Sequence, residues 1–386
     1  MCGVTGFWGF ERLSQKEECL RAMTTTISHR GPDGVGYWSD AENNIFMGHR
    51  RLSVVDITTN GQQPMHSPDG RYTIVFNGEI YNHRKLRREL EIAGKAPQWQ
   101  SETDTEVLLS LIVNYGVKAA LEKSNGMFAF ALFDNVERSL TFARDRMGEK
   151  PLYVSSSPEG IVFGSELKAV MAHPGARKDL NRSSLHSYFL RGYATGRDAI
   201  IEGVTKVPAG HFAVVRHWTD EVRPEPYWQL STVDPSTYAV RDSAAVTDEL
   251  ETLLRDVIAD QMIADVNLGA FLSGGIDSSL VVAIMQSLTD NPVHTFSIGF
   301  NSEDYNEANH AKRVAEHLGT DHTELYFSEQ ELLEFVPKLS DIYCEPFADS
   351  SQLPTLLASD VSKASASTRK RVGSMISNTS SRASTT

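Results

Sequence analysis

The sequence predicts two folded regions of different class: an α+β domain, then an α/β domain built on a parallel sheet. Three observations carry this. The first two hundred residues alternate short runs rich in aromatic and β-branched residues with turns and a few amphipathic stretches. The stretch from Pro208 to Ser236 concentrates Pro208, Pro224, Pro226 and Pro235 with Trp218 and Trp228, which suits an ordered connector. From Val240 the pattern becomes a long helix, an apolar strand, a Gly/Ser turn, a second helix and a second strand, and that order implies parallel pairing.

Each element follows from spacing. Residues 14–27 place Cys19, Leu20, Met23 and Ile27 on one helical face, and helices are also expected over Arg84 to Leu90 and Glu106 to Tyr115. Strands are expected at Tyr72 to Phe76, Met127 to Phe133, Ser139 to Ala143 and Gly160 to Phe163. In the second region a helix over Ala244 to Ile263 leads to a strand over Val266 to Leu272, a helix over Leu280 to Leu288 and a strand over His294 to Gly299. The boundaries read as a first domain over 1–207, a connector over 208–240, a second domain over 241–359 and a tail over 360–386.

Composition excludes several function classes. A net charge of −13 argues against a nucleic-acid partner, because phosphate backbones are held by clustered Lys and Arg. Cys2, Cys19 and Cys344 are too few and too scattered for a disulfide framework, so a reducing, cytoplasmic setting is expected. The apolar opening is broken by glycines and followed by charge, so neither a signal peptide nor a membrane span is expected. Cys19 and Cys344 read as core. His310, His317 and His322 lack acidic or cysteine partners at zinc-like spacing, and no metal is assigned to them.

Cys2 directly follows Met1. It reads either as a small residue opening a buried strand or, once Met1 is removed, as a thiol nucleophile whose own α-amine can take the thiol proton. Four more segments carry polar chemistry, and two of them admit two readings. Asn77-Gly78 is a hairpin turn or a pair of donors aimed at a developing oxyanion. Ser101 to Glu106 is a helix cap, or it offers Asp104 to a substrate ammonium. His29 to Gly34 and Arg51 to Asp56 put charged groups in turns and at strand mouths.

In this order behind Cys2, these segments resemble the class II glutamine amidotransferases. The likeness continues through Asn125 to Phe130, Ala143 to Tyr153 and Phe163 to Ala169. The resemblance implies an N-terminal-nucleophile domain with a four-layer α/β/β/α fold. It makes Cys2 the nucleophile, with Asn77 and Gly78 as the oxyanion hole. Arg51 would pair with the glutamine α-carboxylate, and Asp104 with Glu79 would hold its α-ammonium.

In the second domain, Ser273-Gly274-Gly275-Ile276-Asp277-Ser278-Ser279 sits between a strand and a helix. A glycine-rich turn at a helix N-terminus is an anion site, and no Gly-Lys-Ser/Thr follows to make it a Walker loop. The run resembles the pyrophosphate loop of ATP pyrophosphatases. That likeness implies that Ser273, Gly274, Gly275, Ser278 and Ser279 hold the departing pyrophosphate and that Asp277 helps bind Mg²⁺. The strand Thr295 to Phe300 resembles the one that reads the adenine edge in that family, which implies Leu272 and Ile298 as adenosine-pocket residues, with plain core as the alternative.

The two domains together, with Glu345 to Thr355, resemble the glutamine-hydrolysing asparagine synthetases over residues 2 to 359. This implies ATP, Mg²⁺, glutamine and aspartate as cofactors and substrates, an incomplete Rossmann-like second domain, and a homodimer. Amidation of another carboxylate, such as a uronic acid, and a glutaminase-only remnant are the alternatives. Residues 360 to 386 are dominated by Ser, Thr, Ala and Arg and contain no aromatic residue, so a disordered, aberrant terminus on a truncated gene is expected there.

Overall fold

The computed structural model describes residues 1–232, 242–300, 307–357, 359 and 372–374. Its backbone separates into two compact units. Met1–Leu230 and Tyr343–Ala348 form the first, and Ser231–Ile342 with Asp349–Thr386 the second.

The first unit is built on two six-stranded sheets. β1 (Gly3–Gly9), β2 (Gly34–Asp40) and β3 (Ile45–Arg51) open the first sheet, and β4 (Met65–His66), β5 (Tyr72–Ile80), β6 (Gly126–Asp134) and β7 (Ser139–Arg144) form most of the second. β8 (Tyr153–Ser157), β9 (Gly160–Gly164) and β10 (Val204–Lys206) return to the first, and β11 (His211–Val215) and β12 (Glu225–Pro226) complete the second. The strand orders are β10-β8-β9-β1-β3-β2 and β12-β11-β7-β6-β5-β4, and the pairing within both is antiparallel. Helices form over Lys16–Thr26, His83–Ile92 and Asp104–Tyr115, where the apolar spacing places them.

The stretch expected as a connector from 208 contributes β11 to the second sheet, registered against β7 from Phe212↔Ala143 to Val215↔Leu140. Its Phe212, Ala213 and Val215 are buried, and that burial outweighs the flanking prolines.

Strand alternation sorts side chains into three cores. Val4, Trp8, Met47 and Phe163 of the first sheet meet Val75, Ala129, Phe133 and Phe142 of the second. Ile74, Phe76, Phe128 and Phe130 pack instead with Leu86, Leu90, Leu108 and Ile112 of the helices His83–Ile92 and Asp104–Tyr115. Phe7, Phe46 and Val162 pack with Leu20, Met23 and Val170 on the outer side of the first sheet. Because β1 is covered on both faces, all seven of its residues are buried.

Phe163 is fully buried between the sheets, with its ring 5.2 Å from that of Phe142. We expect Phe163→Ala to lower the unfolding free energy by about 3–5 kcal/mol, read from a shift in the denaturant midpoint.

The second unit carries a four-stranded, all-parallel sheet in the order β15-β14-β13-β16, with β13 (Asn267–Phe271), β14 (His294–Phe300), β15 (Asp321–Phe327) and β16 (Val372–Ser374). Helix Ser243–Gln261 precedes it, and helix Ile276–Ser287 crosses from β13 to β14. The core gathers Ile258, Leu272, Val282, Met285 and Ala311. The tail expected to be disordered lies outside the described residues except for β16, which pairs with Asn267 to Gly269. Among the described residues no helix is long and apolar enough to cross a membrane.

Candidate functional site

Parity of the strands assembles the first site. Cys2 leads into β1 in phase with Val4 and Trp8, so it lies on the face turned to the second sheet. Arg51 is in phase with Ile45 and Met47 on β3, and Asn77 and Glu79 are in phase with Val75 on β5. All four therefore belong to the faces that look across the inter-sheet space. His49, between them, places its Nε2 3.0 Å from the Phe76 carbonyl oxygen.

The Cys2 sulfur is half-buried. It accepts from the Leu52 N–H at 3.4 Å and lies 3.6 Å from the Leu52 carbonyl oxygen. Arg51 is buried, donating from Nη1 to the Thr58 carbonyl at 2.6 Å and from Nη2 to the Asp56 carbonyl. Asn77 is fully buried, yet neither atom of its amide has a hydrogen-bond partner. It lies inside β5 with Gly78, opposite Ala129 and Phe128, so the two do not form a hairpin turn. A side chain at Gly78 would run into the Met127 carbonyl oxygen and Phe128.

Asp104 is the first residue of helix Asp104–Tyr115. Thr103 caps that helix by accepting from the Glu106 N–H, which leaves Asp104 to accept from the Ile80 N–H at 2.8 Å. The cap reading of this segment therefore holds, through Thr103. Burial raises the Asp104 carboxyl. Burial, reinforced by the like charge of Asp104, pushes the Glu79 carboxyl up to about 7, against the pull of Lys150.

Lys150 is a member of this group that sequence reasoning gave no role. The Asp145 carboxylate gathers the N–H groups of Phe128, Met147, Glu149 and Lys150 at 2.9–3.1 Å, and this folds the turn that turns Lys150 inward. Its ammonium is buried and lies 3.2 Å from the Met1 sulfur, and burial lowers its pKa. Arg30 is also buried and donates from Nε to the Cys2 carbonyl at 2.9 Å. A charged residue in a run such as Glu149-Lys150-Pro151-Leu152 gives no hint of burial, since lysine is rarely buried without a partner.

The Glu79 titration has a direct consequence. A neutral carboxyl cannot pair with an ammonium, so any cationic group paired with Glu79 would lose that partner as pH falls through about 7. If glutamine binds here as the sequence resemblance implies, its KM is expected to rise as pH falls through about 7 and Glu79→Gln to flatten that rise, read from steady-state kinetics across pH.

The second site is the turn after β13. Gly274 has φ +77, where a Cβ would also stand 2.7 Å from the Ala311 nitrogen. The Ser273 and Ser278 hydroxyls meet at 2.9 Å, and Ser273 Oγ accepts from the Gly275 N–H at 3.3 Å. Gly275 begins helix Ile276–Ser287 without a side-chain cap, and the Ser279 hydroxyl is buried with no partner. Beside this turn lies a cavity of about 570 Å³ lined by Gly274, Ser279, Leu280, His310, Arg313 and His317.

Asp277 is exposed in the first turn of that helix, a single carboxylate. Leu272 is packed in the core, with its N–H on the Phe296 carbonyl at 2.8 Å, while Ile298 is half-buried opposite Leu325. His322 lies against the Thr295 and Ser297 hydroxyls at 2.8 and 3.1 Å, apart from His310, which accepts from Arg313. Among the described residues no group of three or more His, Cys, Asp or Glu side chains could hold a metal ion.

A family model described as "Glutamine amidotransferase domain" matches residues 1–228, and one described as "Asparagine synthase" matches residues 249–369. The Methanocaldococcus jannaschii protein named "Putative asparagine synthetase (glutamine-hydrolyzing) 2" is 34% identical over 382 residues, covering 94% of this chain and 72% of its own length. "Asparagine synthetase (glutamine-hydrolyzing) 3" of Bacillus subtilis is 33% identical over 352 residues, and the match spans 86% of this chain but only 55% of that protein. Among solved structures, the glutamine phosphoribosylpyrophosphate amidotransferase from B. subtilis aligns over 90% of this chain and 94% of its own at 17% identity, with a TM-score of 0.46. On its sequence relatives and both family models, the chain belongs to the glutamine-hydrolysing asparagine synthetase family.

Proposed function

We propose that this protein forms asparagine from aspartate, with glutamine as nitrogen donor and ATP as activating substrate. One observation above all supports the glutaminase half: a fully buried Asn77 whose amide has no partner, on the face shared with Cys2 and Arg51. Buried amides are almost always satisfied, so an orphaned one on this face supports a polar ligand there. The three cores of the first unit, helices against a sheet, sheet against sheet, and sheet against helices, support reading it as a four-layer α/β/β/α N-terminal-nucleophile domain.

In this reading the free Cys2 α-amine takes the thiol proton, and the sulfur attacks the glutamine side-chain carbonyl. Asn77 and the Gly78 N–H receive the developing oxyanion. The C–N bond breaks, ammonia leaves with the transferred proton, and water cleaves the thioester to glutamate, restoring the thiol. Each Arg51 terminal nitrogen carries two hydrogens, so the guanidinium that grips the Asp56 and Thr58 carbonyls retains donors for the α-carboxylate. Glu79 and Asp104 hold the α-ammonium.

In the second unit the aspartate side chain displaces pyrophosphate from ATP to give β-aspartyl-AMP, and ammonia then displaces AMP. The uncapped helix start at Gly275, the orphaned Ser279 hydroxyl and the nearby Arg313 suit phosphate oxygens. Mg²⁺, when bound, would offset phosphate charge, with Asp277 as its protein carboxylate.

The test follows glutamate, pyrophosphate and asparagine in one reaction mixture containing glutamine, ATP, Mg²⁺ and aspartate. Aspartate-dependent pyrophosphate with stoichiometric asparagine supports the reading. Pyrophosphate that forms only with a different carboxylate, such as a uronic acid, refutes it.

A further inference from the structure

Six residues of the chain's later part belong to the first unit. Tyr343–Ala348 group with Met1–Leu230, although the residues on either side of them belong to the second. Glu345 anchors this strap. One of its carboxylate oxygens lies 2.7 Å from Lys206 Nζ and accepts from the Tyr153 hydroxyl at 3.0 Å, and the other accepts from the Ile200 N–H at 2.8 Å. The strap's end is fixed by the Ala348 N–H, which donates to the Gly192 carbonyl at 2.7 Å. Charge-assisted bonds to a carboxylate that is only 14% exposed are among the stronger polar contacts a protein makes.

Anchoring Glu345 places its neighbour. Cys344 Sγ donates to Glu166 Oε2 at 3.3 Å. The other Glu166 oxygen receives Arg30 Nη1 at 2.9 Å and faces His29 Nε2 at 2.8 Å, while Lys168 approaches Oε2 at 3.0 Å. Arg30 in turn donates from Nε to the Cys2 carbonyl oxygen. Burial pushes the Cys344 thiol up to about 11, so it keeps its proton at neutral pH and remains a donor. An unbroken series of contacts thus runs from Glu345 to the backbone of the nucleophile. The Cys2 carbonyl is bonded to the Cα from which the Cβ and reactive sulfur extend, so fixing it helps to place the sulfur.

We infer that the strap Tyr343–Ala348 is a positioning element for glutamine hydrolysis, with Cys344 and Glu166 holding Arg30 under the Cys2 carbonyl. This rests on the glutaminase reading of Cys2. Glutamine itself is held by Arg51, Glu79 and Asp104, none of which contacts the strap, so the strap sets turnover and not affinity.

The test uses the full chain with Glu345→Ala, Cys344→Ala and Cys344→Ser. Two rates are followed: glutamate release from glutamine, and alkylation of Cys2 by iodoacetamide, mapped by peptide mass. The alkylation rate constant is a property of each folded molecule, so a smaller folded fraction does not change it, and it needs no turnover. Glu345→Ala should lower kcat and the alkylation rate about tenfold with KM unchanged. Cys344→Ala should lower both in the same sense, and Cys344→Ser, which keeps a donor, should restore them. Wild-type rates in Cys344→Ala, or in a Glu345→Ala protein whose Ala348 amide has lost protection from hydrogen exchange, overturn the inference. A wild-type protein that releases no glutamate overturns the glutaminase reading instead, while the alkylation rates still decide the role of the strap.

Discussion

Cys2→Ala should abolish glutamine hydrolysis, lowering kcat by roughly 10⁴-fold or more, because no other group in the first site can form the thioester. Cys19 and Cys344 offer no substitute. Burial pushes both thiols up to about 11, and neither contacts the residues that would hold glutamine. The same variant should bind glutamine with little change in affinity, since Arg51, Glu79 and Asp104 are untouched and the half-buried sulfur supplies little of the contact. Calorimetric titration with glutamine, beside an assay of glutamate release, separates the two effects. A variant that still releases glutamate at a rate near wild type would mean that Cys2 is only a strand residue, the plainer of its two readings. The pH dependence expected of Glu79 belongs to the same site but acts on KM, so the two results are independent.

Most of what positions this site was legible as pattern. Tyr72 to Phe76 announces a strand by its branched and aromatic residues, and the helix from Asp104 announces itself by the Thr103 cap and the apolar run behind it. What sequence alone left ambiguous was where the strand ends. Asn77-Gly78 has the composition of a turn, but β6 pairs with β5 through to Ile80 and carries both residues on inside the sheet. Tertiary pairing overrode local turn chemistry there. The β2–β3 pair was not foreseen either, because Gly34–Asp40 alternates only between half-buried and exposed and its sequence carries no sustained apolar alternation to mark a strand.

Lys150 and the Tyr343–Ala348 strap were illegible for a different reason. Their significance lies in interactions between residues far apart in the sequence, Lys150 with Glu79 and Cys344 with Glu166, and no local periodicity encodes them. The Cys2, Arg51 and Asn77 segments stood out on their own residues, but only the resemblance joined them into one site. The structure supplies the physical reason they belong together: they share the parity of three strands that line one inter-sheet space.

Gly274→Ala should remove ATP-dependent pyrophosphate release, lowering it by about 10²-fold or more, while leaving glutamate release intact. At φ +77 an alanine is strained by its own backbone, which costs about 1–2 kcal/mol. Its Cβ would also press on the Ala311 nitrogen and on His310, groups fixed by helix Ala308–Leu318, so the turn must move to relieve it. That movement breaks the register between the Ser273 and Ser278 hydroxyls and displaces the free N–H groups at the start of helix Ile276–Ser287, the donors a pyrophosphate needs aligned at once. Glutamate release is the internal control, because every residue assigned to it lies within Met1–Leu230 or Tyr343–Ala348. Loss of both activities would point to general misfolding. Unchanged pyrophosphate release would show that the turn holds no phosphate, and the ATP half of the proposed reaction would have to be sought elsewhere in the chain.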